Sequence, residues 1–123
     1  MLKNILNAVR AGAFNGSAAS RVALALTAAG ANNTDALQLS PDADFHVVDT
    51  AAIGTGVRLN PPSGVGDAVL VYNRGANAVL VYPQAGGAIN ALTATTGGFS
   101  LAAGARAVFT SWDGTNWATV LSA

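Results

Sequence analysis

The sequence predicts an all-β domain, a β-sandwich or jelly-roll-like antiparallel fold, that follows an N-terminal arm. From Arg21 onward, short runs of β-branched and aromatic residues alternate with clusters of Gly, Pro, Asn and Asp, which is the pattern of sandwiches and barrels. The 123 residues fit a single domain with one core. No cysteine is present, which excludes disulfides and thiolate metal sites. We therefore divide the chain into an arm, residues 1–20, and a β-domain, residues 21–123.

The arm consists of a short amphipathic stretch followed by a linker. Its apolar residues recur at helical spacing, which is compatible with a short helix over residues 2–10; they are Leu2, Ile5, Leu6 and Val9. Residues 11–20 are mostly small and include two glycines, which favours a flexible connection. No apolar run approaches the roughly 18 residues of a membrane span, so no membrane partner is predicted.

A secretory signal peptide is the alternative interpretation of the N-terminus. The apolar run 22–29 follows basic residues, and Ala29-Gly30-Ala31 resembles a cleavage site. However, the stretch before that run is long for a basic region, and polar residues interrupt it. The arm is therefore the favoured interpretation.

Nine strands are predicted in the β-domain. They lie near residues 22–28, 36–40, 45–50, 56–60, 67–73, 78–83, 98–102, 105–112 and 116–122. Pro41 and the pair Pro61-Pro62 end their strands, because proline cannot donate a hydrogen bond to a sheet.

A repeat in the middle of the chain predicts a β-hairpin. The run Ala68-Val69-Leu70-Val71-Tyr72 recurs as Ala78-Val79-Leu80-Val81-Tyr82, and the turn-forming residues 73–77 separate the two copies. In that hairpin Leu70 would pair with Leu80, and both faces would be apolar. One face can pack on the core, whereas the other needs a second sheet, the arm or a neighbouring subunit.

A second hairpin is predicted at the end of the chain. The turn sequence between Trp112 and Trp117 joins strands 106–112 and 117–121. The two indoles could stack across the strands, a contact worth about 0.5–1.5 kcal/mol beyond burial. A carbohydrate-binding platform is the functional alternative, since sugars stack on exposed tryptophan.

The low charge of the chain predicts assembly with other subunits. Charged residues make up 10% of the sequence, hydrophobic residues 51%, and the net charge is zero, whereas a typical domain has about 25% charged residues. A monomer this poor in charge would leave apolar surface in water. Low charge also argues against nucleic-acid binding, which requires a basic patch. The first thirty residues hold three basic groups and no acid, so the arm suits an acidic neighbour.

Few residues could carry catalysis, and no enzyme activity is predicted. The chain has no Glu and one His, His46, which lies in a predicted strand close to Asp44 and Asp49. No Gly-x-Ser-x-Gly motif accompanies it, so a small hydrolase that depends on His46 is the last alternative. Asp42 and Asp44 could contact a cation, but loop capping is the favoured role. No catalytic residue, cofactor or metal site is predicted.

The order of motifs over residues 57–120 resembles that of small virion proteins of tailed bacteriophages. A strand ending in Asn73 precedes the turn Gly75-Ala76-Asn77, and a strand ending in Tyr82-Pro83 precedes the turn 87–90. Leu101-Ala102-Ala103-Gly104 and a last aromatic strand then follow. Within this group the size of the chain and the absence of a long shaft repeat favour a capsid decoration (cement) protein over a fibre.

This resemblance implies a homotrimer on the exterior of the virion capsid, assembled in the host cytoplasm, with the major capsid protein as partner. Cement proteins of this kind are β-rich, and often have an N-terminal arm that reaches neighbouring subunits. The predicted contact residues lie in the arm and in two hairpin loops: Leu2, Ile5, Leu6, Arg10, Phe14, Arg74, Asn77, Asp113 and Asn116.

Two other binding functions stay open from the sequence. One is a receptor- or glycan-binding tail or spike domain that uses Trp112, Trp117, Tyr72 and Tyr82. The other is a secreted bacterial carbohydrate-binding β-domain, which would be cleaved near Ala31.

Overall fold

The computed structural model describes residues 21–122, which form nine strands and no helix. The strands are β1 (Val22–Thr27), β2 (Leu37–Gln38), β3 (Phe45–Thr50), β4 (Gly56–Arg58), β5 (Ala68–Asn73), β6 (Val79–Tyr82), β7 (Phe99–Leu101), β8 (Arg106–Ser111) and β9 (Trp117–Ser122). The all-β class and the position of each predicted strand are therefore confirmed. In this range no helix is long and apolar enough to cross a membrane.

The first six strands alternate between two sheets. A five-stranded sheet has the order β1-β3-β5-β8-β9, and a four-stranded sheet has the order β2-β4-β6-β7. Neighbours among β1, β3 and β5 are parallel, as are neighbours among β2, β4 and β6. Parallel neighbours require a crossover connection, and here a strand of the opposite sheet supplies it. Residues 22–82 thus make three successive coils, each of which gives one strand to each sheet.

The last three strands complete the sheets in antiparallel orientation. β7 pairs with β6, β8 with β5, and β9 with β8. Ser111 pairs with Trp117 across the final turn, which confirms the second predicted hairpin. The expectation of an antiparallel domain is wrong, because the sheets are mixed: each of the first five strands is followed by a connection that takes the chain to the other sheet, so neighbours among the first six strands are parallel.

The predicted hairpin between the two repeats is also wrong. Leu70 of β5 pairs with Phe45 and Val108 in the five-stranded sheet, whereas Leu80 of β6 pairs with Gly56 and Ser100 in the four-stranded sheet. The two repeats are therefore neighbours in sequence but members of different layers. Their similar apolar patterns reflect similar burial in the two sheets and not a pairing between them.

The buried side chain of Asn73 holds the corner between these layers. Its Nδ2 donates to the backbone oxygens of Asn77 at 2.8 Å and Leu101 at 3.0 Å, and its Oδ1 accepts from the backbone N–H of Gly75 at 2.9 Å. These bonds give hydrogen-bond partners to backbone groups near the β5–β6 connection, and burial of such groups without partners would be unfavourable. Asn73 therefore directs the chain from β5 into the second sheet.

Side chains from both sheets form one hydrophobic core. Val48, Val71 and Phe109 of the five-stranded sheet belong to the same buried cluster as Val57 and Val81 of the four-stranded sheet. Phe99 of β7 meets the ring of Phe109 edge to face, with centroids 5.7 Å apart. This is a favourable geometry for two aromatic rings, and it links the two layers.

Candidate interaction surfaces

The outer face of the five-stranded sheet, which points away from the core, carries an apolar residue from every strand. Side chains alternate between the two faces of a strand, and Val71 and Phe109 face the core. Leu70 and Val108, each adjacent in the chain to one of these core residues, therefore face outward. Backbone pairing aligns one such residue per strand in a single line across the sheet, which we call the outer row: Val22, Phe45, Leu70, Val108 and Val120.

Much of this row is open to solvent. Val22 is 49% exposed, Val108 41% and Val120 80%, and Leu24, two residues after Val22 on the same strand, is 68% exposed. These are four of the eight large hydrophobic residues that are exposed within residues 21–120. Single exposed apolar residues are common, but a continuous apolar surface marks an interaction site. The outer row is thus the clearest candidate interaction surface of the domain.

A second line of residues borders the outer row on one side. Val47 pairs with Tyr72, and Tyr72 pairs with Arg106, whose guanidinium lies 5.7 Å from the centre of the tyrosine ring. A cation at this distance is attracted to the ring face. Beyond this line, an exposed ion pair joins Arg74 and Asp49 at 3.7 Å. Charge on this face therefore lies at the border of the apolar surface and not within it.

The first pair of predicted loop residues, Arg74 and Asn77, lies at one end of the sheets. Asn77 donates through Nδ2 to the backbone oxygen of Ala51 at 2.9 Å, so it fixes the β5–β6 connection against the loop that follows β3. The side chain of Arg74 is 58% exposed. Arg74 is therefore available for an intermolecular contact, whereas Asn77 shapes the loop.

The second pair, Asp113 and Asn116, lies in the β8–β9 turn. The Asp113 carboxylate accepts from the backbone N–H groups of Thr115 and Asn116, at 2.9 and 2.6 Å, and from the Asn116 side chain at 2.7 Å. The backbone hydrogen bonds from Asn116 and then Thr115 lower the pKa of Asp113. Asn116 in turn accepts from the N–H of Ala88 at 3.1 Å. Both side chains thus stabilise the turn itself.

The structure does not bring the two predicted loops together. β5 and β8 are antiparallel, with Ala68 opposite Thr110 and Tyr72 opposite Arg106. The loop after β5 and the turn after β8 therefore lie at opposite ends of the sheet. The remaining predicted contacts, Leu2, Ile5, Leu6, Arg10 and Phe14, lie outside the described residues.

The aromatic residues proposed for glycan binding do not share one surface. Trp117 is 1% exposed and donates its indole N–H to Gln84 at 2.9 Å, whereas Trp112 is 63% exposed in the turn. The predicted stacking of the two indoles is therefore wrong, because the Trp117 side chain points into the core whereas Trp112 lies in the exposed turn after β8. Tyr82 is also buried, and Tyr72 lies on the outer face. A shared sugar platform built from these rings is not formed.

His46 lines a cleft of about 220 Å³ at one end of the core. It is a β3 residue, as predicted, and its buried Nδ1 has no hydrogen-bond partner. Burial lowers the pKa of His46, while the Ala43 backbone and the Asp44 charge oppose that shift. Burial therefore favours the neutral form of the imidazole. Asp67, which also lines the cleft, accepts from the backbone N–H of Ser63 at 2.9 Å, so its carboxylate already has a structural partner.

Neither the outer row nor the cleft was predicted from the sequence. The cleft unites residues that are distant in sequence, and within residues 21–122 no group of three His, Asp or Glu residues could hold a metal ion. Each strand of the five-stranded sheet does contain an apolar residue next to one that faces the core, and this pattern could have indicated the outer row. Its continuity, however, depends on the register of four strand pairs.

Comparison of the chain with protein-family models, curated proteins and solved structures found no match.

Proposed function

We propose that the protein is a structural protein of a tailed-bacteriophage virion, a homotrimeric capsid decoration (cement) protein that binds across subunits of the assembled head. The observation that supports this proposal most directly is the exposed outer row on a small domain that is poor in charge. A domain with this surface gains stability by covering it with other subunits. The motif order over residues 57–120 supports the phage assignment.

We also propose that the two sheets are the layers of a β-sandwich. Their buried side chains belong to one cluster, as the layers of a sandwich require. The closer likeness to a jelly roll stays a prediction.

The proposed mechanism is passive stabilisation of the head. A protein that binds only the assembled lattice stabilises that lattice by mass action. Three linked copies add avidity, because the second and third contacts form at a high effective concentration. Within the described residues, Arg74 is the best candidate for a direct contact with the capsid, since its guanidinium is exposed at the end of the domain. The arm supplies the other predicted contacts.

A binding experiment with tailed-phage heads that lack the protein tests this proposal. The full-length chain is expected to sediment with the heads and to raise the temperature at which they release DNA. Arg74→Ala and deletion of residues 1–20 are each expected to weaken sedimentation at least several-fold. Asp42→Ala, which removes an exposed charge elsewhere, is the matched control and should bind like the wild type. Failure of the wild-type chain to bind heads would refute the proposal.

A further inference from the structure

We propose that the outer face of the five-stranded sheet is where copies of this chain meet, with three such faces turned towards a common threefold axis. The number of copies rests on the proposed function. The choice of this face rests on the exposed side chains, the distribution of charge and the width of the sheet, which are independent of that function.

The outer row is suited to contact with an identical surface. Its five members are apolar and come from five adjacent strands, so each copy can turn towards the axis a row of apolar side chains that spans the full width of the sheet. Burial of such surface contributes roughly 25 cal/mol per Å². Val108 of β8 and Val120 of β9 are paired and exposed, as are Val22 and Leu24 of β1 at the opposite edge of the sheet.

The charges on this face permit contact between copies. Asp49 on β3 lies beside Arg74, with which it forms an ion pair, and the basic Arg106 begins β8 on the other half of the sheet. Around a threefold axis, the Arg106 half of one copy adjoins the Asp49 half of the next. Arg106 of one copy can thus approach the Asp49 carboxylate of the next at the border of the apolar surface, and contact between opposite charges favours specific association.

The width of the sheet suits three copies. Strands lie about 4.8 Å apart, so five strands span about 19 Å. Three walls of this width enclose an axis that is about 5.5 Å from each wall, close to half the ~10 Å spacing of packed sheets. The side chains of three outer rows would thus fill the centre and leave no channel.

Copies are expected to meet through side chains and not by extending the sheet at β9. The side chain of Asn90 already pairs with the backbone of Thr119, accepting at 3.0 Å and donating at 3.2 Å. This occupies the outer edge of β9 beside Trp117 and Thr119. At the opposite edge, β1 contains an irregularity around Ala25, whose φ is 58°, and bulges of this kind discourage strand addition.

The arrangement places Val22 of one copy beside Val120 of the next. Within one chain these two residues lie at opposite edges of the sheet, about 19 Å apart, whereas a disulfide needs Cα atoms within roughly 7 Å. A bond between cysteines at these positions must therefore join different chains. The chain has no native cysteine, so no background disulfide can interfere.

The test is oxidation of the full-length Val22→Cys/Val120→Cys variant, followed by a non-reducing gel. Covalent trimers are the expected product. The control is Val22→Cys/Ile53→Cys, because Ile53 is 87% exposed but lies in the loop after β3, outside this face; it should stay uncrosslinked. Monomers alone, or covalent dimers as the largest species, would overturn the proposal, as would equal crosslinking of the control. Coverage of the face by residues 1–20 of the same chain would give the monomer result.

A charge substitution provides an independent measurement. Val120→Asp is expected to convert the trimer into a monomer while the circular dichroism spectrum stays unchanged, since the side chain is exposed in the single chain. Ile53→Asp should remain trimeric. A trimer that survives Val120→Asp would overturn the inference even if heads are still bound. Crosslinked trimers that fail to bind heads would refute the proposed function and leave this inference standing.

Discussion

The indole N–H of Trp117 and the side-chain oxygen of Gln84 form a buried hydrogen bond of 2.9 Å that joins β9 to the segment after β6. The amide nitrogen of the same Gln84 donates to the backbone oxygen of Thr115 at 2.7 Å. One amide therefore satisfies the largest buried aromatic residue and also holds the β8–β9 turn. The indole N–H of Trp117 can therefore be buried in the core, because Gln84 accepts its hydrogen bond.

Replacement of Gln84 should cost the domain substantial stability. Gln84→Leu leaves the buried indole N–H without a partner, which is expected to lower the free energy of unfolding by about 1–3 kcal/mol. Urea unfolding followed by circular dichroism measures the change. Trp112→Phe is the control, because Trp112 is exposed in the turn and its replacement should change stability by less than about 0.5 kcal/mol. A Gln84→Leu variant as stable as the wild type would show that the bond is dispensable.

Asn73 should be as important as Gln84, for a different reason. Asn73→Ala removes three hydrogen bonds from the corner between the two sheets, and the loss of buried partners is expected to cost about 2–3 kcal/mol. Hydrogen exchange should also become faster at the amide of Gly75, which loses its acceptor. Asn33→Ala, in the loop before β2, serves as the control and should leave both quantities nearly unchanged.

The buried His46 predicts a loss of stability at mildly acidic pH. Its pKa in the folded chain is lowered from 6.5, with burial as the main cause. Below pH 6.5 the unfolded chain takes up a proton that the folded chain resists, so stability is present above that pH and falls as the pH decreases. His46→Gln should reduce the difference in unfolding free energy between pH 7.5 and pH 5.5. An unchanged difference would assign the effect to other groups.

Gly56 of β4 is required for close packing of the four-stranded sheet. A Cβ atom at this position would lie 2.6 Å from the backbone oxygen of Leu80 and 2.7 Å from the ring of Tyr82. Gly56→Ala is therefore expected to destabilise the domain by about 1–3 kcal/mol. At Gly64 a Cβ would meet no atom within 4 Å, so Gly64→Ala should be neutral. Thermal unfolding of the two variants compares them directly, and equal midpoints would contradict this packing.

The sequence predicted the positions of the strands much better than it predicted which strands pair with each other in the sheets. Composition and turn residues located all nine strands, including β5 and β6 on either side of residues 73–77. They could not show that the chain changes sheet at this point, because that depends on the hydrogen bonds of the buried Asn73 side chain. A similar turn composition between β8 and β9 does form a hairpin, so local sequence alone does not distinguish the two outcomes.

The sequence predicted that the domain has an exposed apolar surface, but not where that surface lies. Low charge predicted that apolar surface would need cover, and that surface exists in the outer row. Its location depends on the register between Phe45, Leu70 and Val108, which brings together residues 25 and 38 positions apart in the chain. The loop residues were predicted from turn composition, yet Asn77, Asp113 and Asn116 are held by hydrogen bonds within the domain.

The most direct measurement of the central claim is the solution mass of the full-length chain by light scattering, beside that of Val120→Asp. One chain has a mass of 12.2 kDa. We expect three times this mass for the wild type and the mass of a single chain for Val120→Asp. A wild-type protein of 12.2 kDa would contradict assembly through the outer row.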